Sequence, residues 1–215
     1  MVGISGNFKL KGVALSLILG DDFLIKTFKP SEEENYQLKG LFSGMVNLVD
    51  ASDLILPTDL FNTCFYEMFK GCTSLISAPE LPATTLAKGC YTGMFNGCTS
   101  LTTAPELPAT TLESTCYLAM FNDCTSLTVA PELPAMTMAE QCYSEMFSNS
   151  GLTSAPYLPA TTLATKCYNF MFSGCYSLTY SPTLPATTMA EQCYRGMFAS
   201  CTHLVTAPKI LGTTL

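Results

Sequence analysis

Apolar residues recur along most of this chain in clusters set at a fixed interval. The pair Met-Phe stands at Met68-Phe69, Met94-Phe95, Met120-Phe121, Met146-Phe147, Met171-Phe172 and Met197-Phe198, at intervals of 26, 26, 26, 25 and 26 residues. A Cys precedes each Met by four positions, from Cys64 to Cys193. A second Cys follows by four at Cys72, Cys98, Cys124, Cys175 and Cys201. The fourth unit instead reads Ser148-Asn149-Ser150-Gly151-Leu152 and is one residue shorter there. A Leu, a Pro and usually a second Pro complete each unit, as in Leu101, Pro105 and Pro108. Self-similarity at this period marks a stack of coils, because no single unit can bury its apolar face alone.

Within one unit, Leu86, Cys90, Tyr91, Met94, Phe95 and Cys98 are spaced by threes and fours, which predicts one face of a helix. Thr84 or Thr85 can cap its start and Gly97 suits its end. Gly89 and Gly93 weaken it, so a short or partly 3₁₀ helix is expected. Leu101 to Ala104 is Thr-rich and predicts a short strand ended by Pro105, and Glu106 to Ala109 a proline-bounded turn. The fold class that follows is an α/β solenoid. It is a right-handed superhelix with a parallel β-sheet on one face and short helices or 3₁₀ turns opposite.

The start of the chain departs from this register. Leu41-Phe42-Ser43-Gly44 echoes the repeat 27 residues ahead of Met68-Phe69, so one divergent unit precedes about six regular ones and the array occupies residues 36–215. Residues 1–35 are expected to form an N-terminal β cap over the first coil. Phe8 to Leu19 reads as strands, Gly20-Asp21-Asp22 as a turn, and Ser31 to Asn35 as a solvated loop. Ile210 to Leu215 repeats the opening of a motif, and both ends read as cut from something longer.

Composition narrows the function. Charged residues are 13% of the chain, about half the usual share, and 48% is apolar, which suits a large dry core. The net charge is −7, and ten dispersed Lys and Arg make no basic stripe, so nucleic acid is not an expected partner. No apolar run reaches the roughly 18 residues of a membrane span; Val13 to Leu19 is short and followed by Asp21 and Asp22. It lacks a cleavage pattern, so secretion would need a leader this chain does not carry. The eleven Cys read as small apolar core ladders of free thiols. Neither column has the close Cys pairs of a zinc site, and His203 is the only histidine.

Met94-Phe95-Asn96-Gly97-Cys98-Thr99-Ser100-Leu101, followed by Ala104-Pro105-Glu106-Leu107-Pro108, resembles the BspA-like leucine-rich repeats of surface proteins from anaerobic gut and oral bacteria. The resemblance covers about residues 36–215. Met-Phe replaces the family's Ala-Phe, and an extra Pro-Glu step lengthens the unit. The likeness implies a leucine-rich-repeat solenoid at the cell surface or outside the cell. It also implies adhesion to host matrix or other cells, with no catalytic residues and no cofactor. The expected function is therefore non-enzymatic recognition of a host or neighbouring-cell protein or glycan, by a monomer. The alternative is a structural spacer or assembly scaffold projecting other domains.

Candidate contacts lie where the repeat varies. The column after the first Pro runs Glu80, Glu106, Glu132, Tyr157, Thr183, Lys209. Carboxylates at about the 5 Å spacing of stacked strands repel one another, so they must face water or bind cations. Small hydroxyl residues fill the strand positions except at Tyr180, the one bulky side chain there; the face either binds a partner or simply suits a pleated sheet. The aromatic column Phe65, Tyr91, Tyr117, Tyr143, Tyr168 and Tyr194 is either a sugar platform or, favoured by its neighbouring Cys, packing on the helical side. The acids fall at equivalent places and not in one cleft, so no catalytic and no metal residues are assigned.

Overall fold

The repeat unit builds its wall without a helix. The computed structural model describes residues 6–13 and 38–212, and no helix occurs among them. The segment expected to be helical, Leu86 to Cys98, is a staircase of overlapping turns in which alternate N–H groups go in different directions. Cys90, Thr92, Met94, Asn96 and Cys98 donate three residues back, to Ala87, Gly89, Tyr91, Gly93 and Phe95. Gly89, Tyr91, Gly93, Phe95 and Gly97 donate to the next coil, to Ser114, Cys116, Leu118, Met120 and Asn122, at 2.8–3.0 Å. The same alternation runs through the following coils, as in Tyr117 to Cys142 and Phe147 to Met171.

This corrects the expected helix for a stated reason. An α-helix advances about 100° per residue, so positions four apart drift by about 40° each step. Leu86, Cys90, Met94 and Cys98 keep a strict four-residue period, and after three steps a helix would have carried them about 120° around. The turn staircase has no such drift. Its cycle puts two residues in and two out: Cys90 and Tyr91 inside, Thr92 and Gly93 outward, Met94 and Phe95 inside. Every fourth residue takes a left-handed conformation, as at Gly89, Gly93 and Gly97, and also at Thr115, Ala119 and Asp123, then Gln141, Glu145 and Asn149.

The continuous parallel sheet is also reduced. β1 (Phe8–Val13) and β2 (Leu48–Ile55) pair in parallel with two irregularities in register. Lys9 closes that pairing with a 2.8 Å ion pair to Asp50. Beyond β2 the coils meet through single parallel bridges. One row runs Asp50, Ser77, Thr103, with Ser154 on Tyr180 farther along. A second row runs Thr85, Thr111, Thr137, Thr162, Thr188. Thr85 and its equivalents are thus exposed bridge residues and not helix caps. Proline explains the sparse pairing: with no N–H to donate and φ held near −65°, two prolines per coil interrupt any ladder. The turn at Gly20 to Asp22, the loop at Ser31 to Asn35 and the run from Ala14 to Leu19 lie outside the described residues.

Stacking aligns like with like. Phe42, Phe69, Phe95, Phe121, Phe147, Phe172 and Phe198 form one file of rings, and Phe65, Tyr91, Tyr117, Tyr143, Tyr168 and Tyr194 another. Successive ring centroids are 5.3–6.0 Å apart. That separation fits offset stacking, which adds about 0.5–1.5 kcal/mol per pair beyond burial. Cys, Met and Leu columns fill the space between the files.

The shortened fourth unit shows how the stack absorbs a deletion. Ser150 takes the place of the missing thiol: it is buried, its N–H donates to Phe147 as Cys124 donates to Phe121, and its Oγ lies 3.4 Å from Cys175 Sγ. Gly151 then crosses so close to the Thr125 carbonyl that a Cβ would collide with it. Gly151→Ala should therefore cost about 2 kcal/mol or more, read as a fall in the urea midpoint. Ala119 carries a left-handed φ of 52°. Ala119→Gly should stabilise by about 0.5–1 kcal/mol in the same assay, since the relieved strain of about 1–2 kcal/mol exceeds the added chain entropy.

Candidate functional site

The interior columns are chemically closed. The eleven cysteines are free, and all but the half-buried Cys201 are buried. Each thiol of the second column donates across one coil to a Phe carbonyl: Cys72 to Phe42, Cys98 to Phe69, Cys124 to Phe95, Cys175 to Phe147 and Cys201 to Phe172, at 3.0–3.2 Å. Cys suits this place because it is small, apolar and still a weak donor. Burial pushes Cys64, Cys90, Cys124 and Cys142 up to about 12, and Cys72 and Cys175 up to about 11. Thiols so protonated are poor nucleophiles. The Tyr file is buried as well, and burial raises Tyr91, Tyr117, Tyr143 and Tyr168 above the usual phenol range. These rings are core, not a sugar platform, and they pack in the turn staircase and not on a helix.

The surface offers one extended concavity, and the repeat builds it. Pro79, Leu81 and Ala83 are buried while Glu80 and Pro82 are exposed, the in-and-out alternation of an extended chain. Glu106 and Pro108 repeat this in the next coil, and Glu132 and Pro134 in the one after. A groove of about 630 Å³ lies between Ile76–Pro82 and Thr102–Pro108. A second, of about 250 Å³, shares Glu106 and Pro108 with it and reaches Pro131, Glu132 and Pro134. A third, of about 460 Å³, shares those three and reaches Pro156, Tyr157 and Pro159. Through these shared walls the depressions join into one groove crossing four coils.

The structure thus gathers Glu80, Glu106, Glu132 and Tyr157 along a single groove. Tyr157 is the most exposed large apolar side chain described, at 73%. Tyr180 does not line the groove; it sits in the bridge row beside Ser154 and is 62% exposed. Thr183 and Lys209 continue the column of Glu80 in the last coils and are exposed. The two ion pairs among the described residues join Lys9 to Asp50 and Lys70 to Glu67, and neither involves the groove carboxylates. Among the described residues, no three His, Cys, Asp or Glu converge as metal ligands would.

Two features were not legible as site elements in the sequence. The proline columns form the groove walls, although they read there only as strand breakers. The Thr85 row is a second outward face, and its signal was the unbroken Thr at that register. Exposed Val129, Met136 and Tyr176 add apolar surface elsewhere. No helix of the described residues is long and apolar enough to cross a membrane. Comparison with protein families, with curated proteins and with solved structures finds no match in any of the three.

The buried thiols set a pH dependence. The folded chain holds these protons to about pH 11–12, whereas unfolded thiols release them near 9. Between those values the folded state binds more protons, so stability falls as pH rises. The urea midpoint should stay level below about pH 9 and drop steeply above it, with the Tyr file steepening the fall beyond about pH 10.

Proposed function

We propose that this chain is a non-enzymatic recognition module, displayed at the cell surface or outside the cell, that binds a protein or glycan partner along the groove from Glu80 to Tyr157. Its coils are read as a right-handed solenoid of leucine-rich-repeat type, akin to the BspA-like surface proteins. One observation carries this reading: the interior columns are near-invariant from coil to coil, while the groove column changes from acidic to aromatic to basic. Stacking demands the first and places no demand on the second, because Glu80, Glu106, Glu132, Tyr157 and Lys209 all point to water.

The chemistry agrees. The acids recur at equivalent positions in successive coils, so no two differently placed carboxylates face one substrate, as acid–base catalysis needs. A preformed groove on a stiff stack loses little conformational freedom on binding, which suits recognition by a broad, shallow surface. The unbroken ring files also favour a second reading, a spacer that holds other domains at a fixed distance.

Glycan and matrix-protein arrays separate the two. Recognition expects a reproducible hit that Tyr157→Ala or Glu106→Gln weakens several-fold. Both variants should keep their melting temperature, since exposed substitutions cost within about 0.5 kcal/mol. Arrays with no hit would leave the spacer reading standing.

A further inference from the structure

We infer that the groove's partner is an extended cationic polypeptide segment, seated along the stack with its Lys or Arg side chains on Glu80, Glu106 and Glu132. This inference rests on the recognition reading and names the partner class for the same site.

Shape points to an extended chain. The groove is bounded by two proline columns three residues apart in extended backbone, about 10 Å. A helix with its side chains measures about 10–12 Å across and would bridge the walls without reaching the floor. Across four coils the groove runs about 14 Å, the length of four or five extended residues. Walls of proline and alanine offer apolar contact and few hydrogen-bonding groups, which suits the aliphatic stems of Lys and Arg more than the hydroxyls of a sugar.

Charge points to a cation. Three carboxylates follow one another at coil spacing, and neither ion pair of the described residues engages them. In an extended partner, alternate side chains share a face at about 6.8 Å intervals. Flexible Lys stems take up the mismatch with the coil spacing of about 4.8 Å. Tyr157, 73% exposed where the acidic run ends, presents a ring face to one further cation. Lys209, in the same column farther on, disfavours continuing the cationic stretch and so sets its direction.

The probe is a fluorescein-labelled decapeptide of alternating Lys and Thr, followed by anisotropy at low and high salt. Binding is expected to weaken with salt and to fall about tenfold in the triple variant Glu80→Gln, Glu106→Gln, Glu132→Gln, as three exposed charge pairs imply. A control triple, Glu113→Gln, Glu140→Gln, Glu191→Gln, removes the same charge from exposed positions off the groove and should stay within about twofold. Tyr157→Ala should also weaken binding, and circular dichroism on every variant checks folding. Equal loss in both triples would overturn the inference, because bulk charge would then explain it. Failure of the peptide to bind, beside an array hit that needs Tyr157, would overturn the cationic partner and leave recognition intact. No binding by peptide or array would remove both.

Discussion

Every coil of this protein is tied to the next by alternate backbone N–H groups, and that one requirement governs the rest. A helix satisfies its N–H groups within itself and can slide against its neighbour. Here Gly89, Tyr91, Gly93, Phe95 and Gly97 depend on carbonyls supplied by the following coil. Coil length cannot drift, because one added residue would swap donors and non-donors along the whole row. The single shortened unit keeps the rule only because Ser150 holds the thiol's place and Gly151 lets two backbones nearly touch.

From register follows chemistry. Residues at one position stack on their own kind, so each interior column must tolerate a copy of itself at neighbouring-strand distance. Phe and Tyr do so by offset stacking, and Cys does so by remaining a neutral thiol bonded to a carbonyl. Charge fails this test in the core, which fits a chain with 13% charged residues and buried columns free of them. The same rule places strain. One residue in four is left-handed, and glycine fills that place in some coils, while Thr, Gln, Glu, Lys and Phe fill it in others. The row of intercoil bonds holds those residues where an isolated turn would not.

Outside the core the constraint relaxes. The extended segment between the prolines faces water on alternate residues, and there the repeat changes from coil to coil. A surface of this kind can acquire asymmetry without disturbing the stack. The groove is therefore where a translationally regular protein can encode a partner, a polarity and a direction.

The sequence alone determined the coil length, the membership of every column and the burial of the Cys, Met, Phe and Tyr files, because each depends only on a repeat period and on the hydrophobicity of single positions. It also marked Glu80, Glu106, Glu132 and Tyr157, since variation against a regular background is visible in one chain. It misled on local structure: apolar pairs every four residues look helical unless the strictness of the period is weighed against the drift of a helix. Only the tertiary structure decided where each N–H is satisfied, and that choice, made between coils and not within them, separates a turn staircase from a helix. It also decided that the prolines wall a groove joining the Glu column to Tyr157 while leaving Tyr180 outside, because the path of the chain between coils is set by pairing across 25 or 26 residues and not by neighbours in sequence.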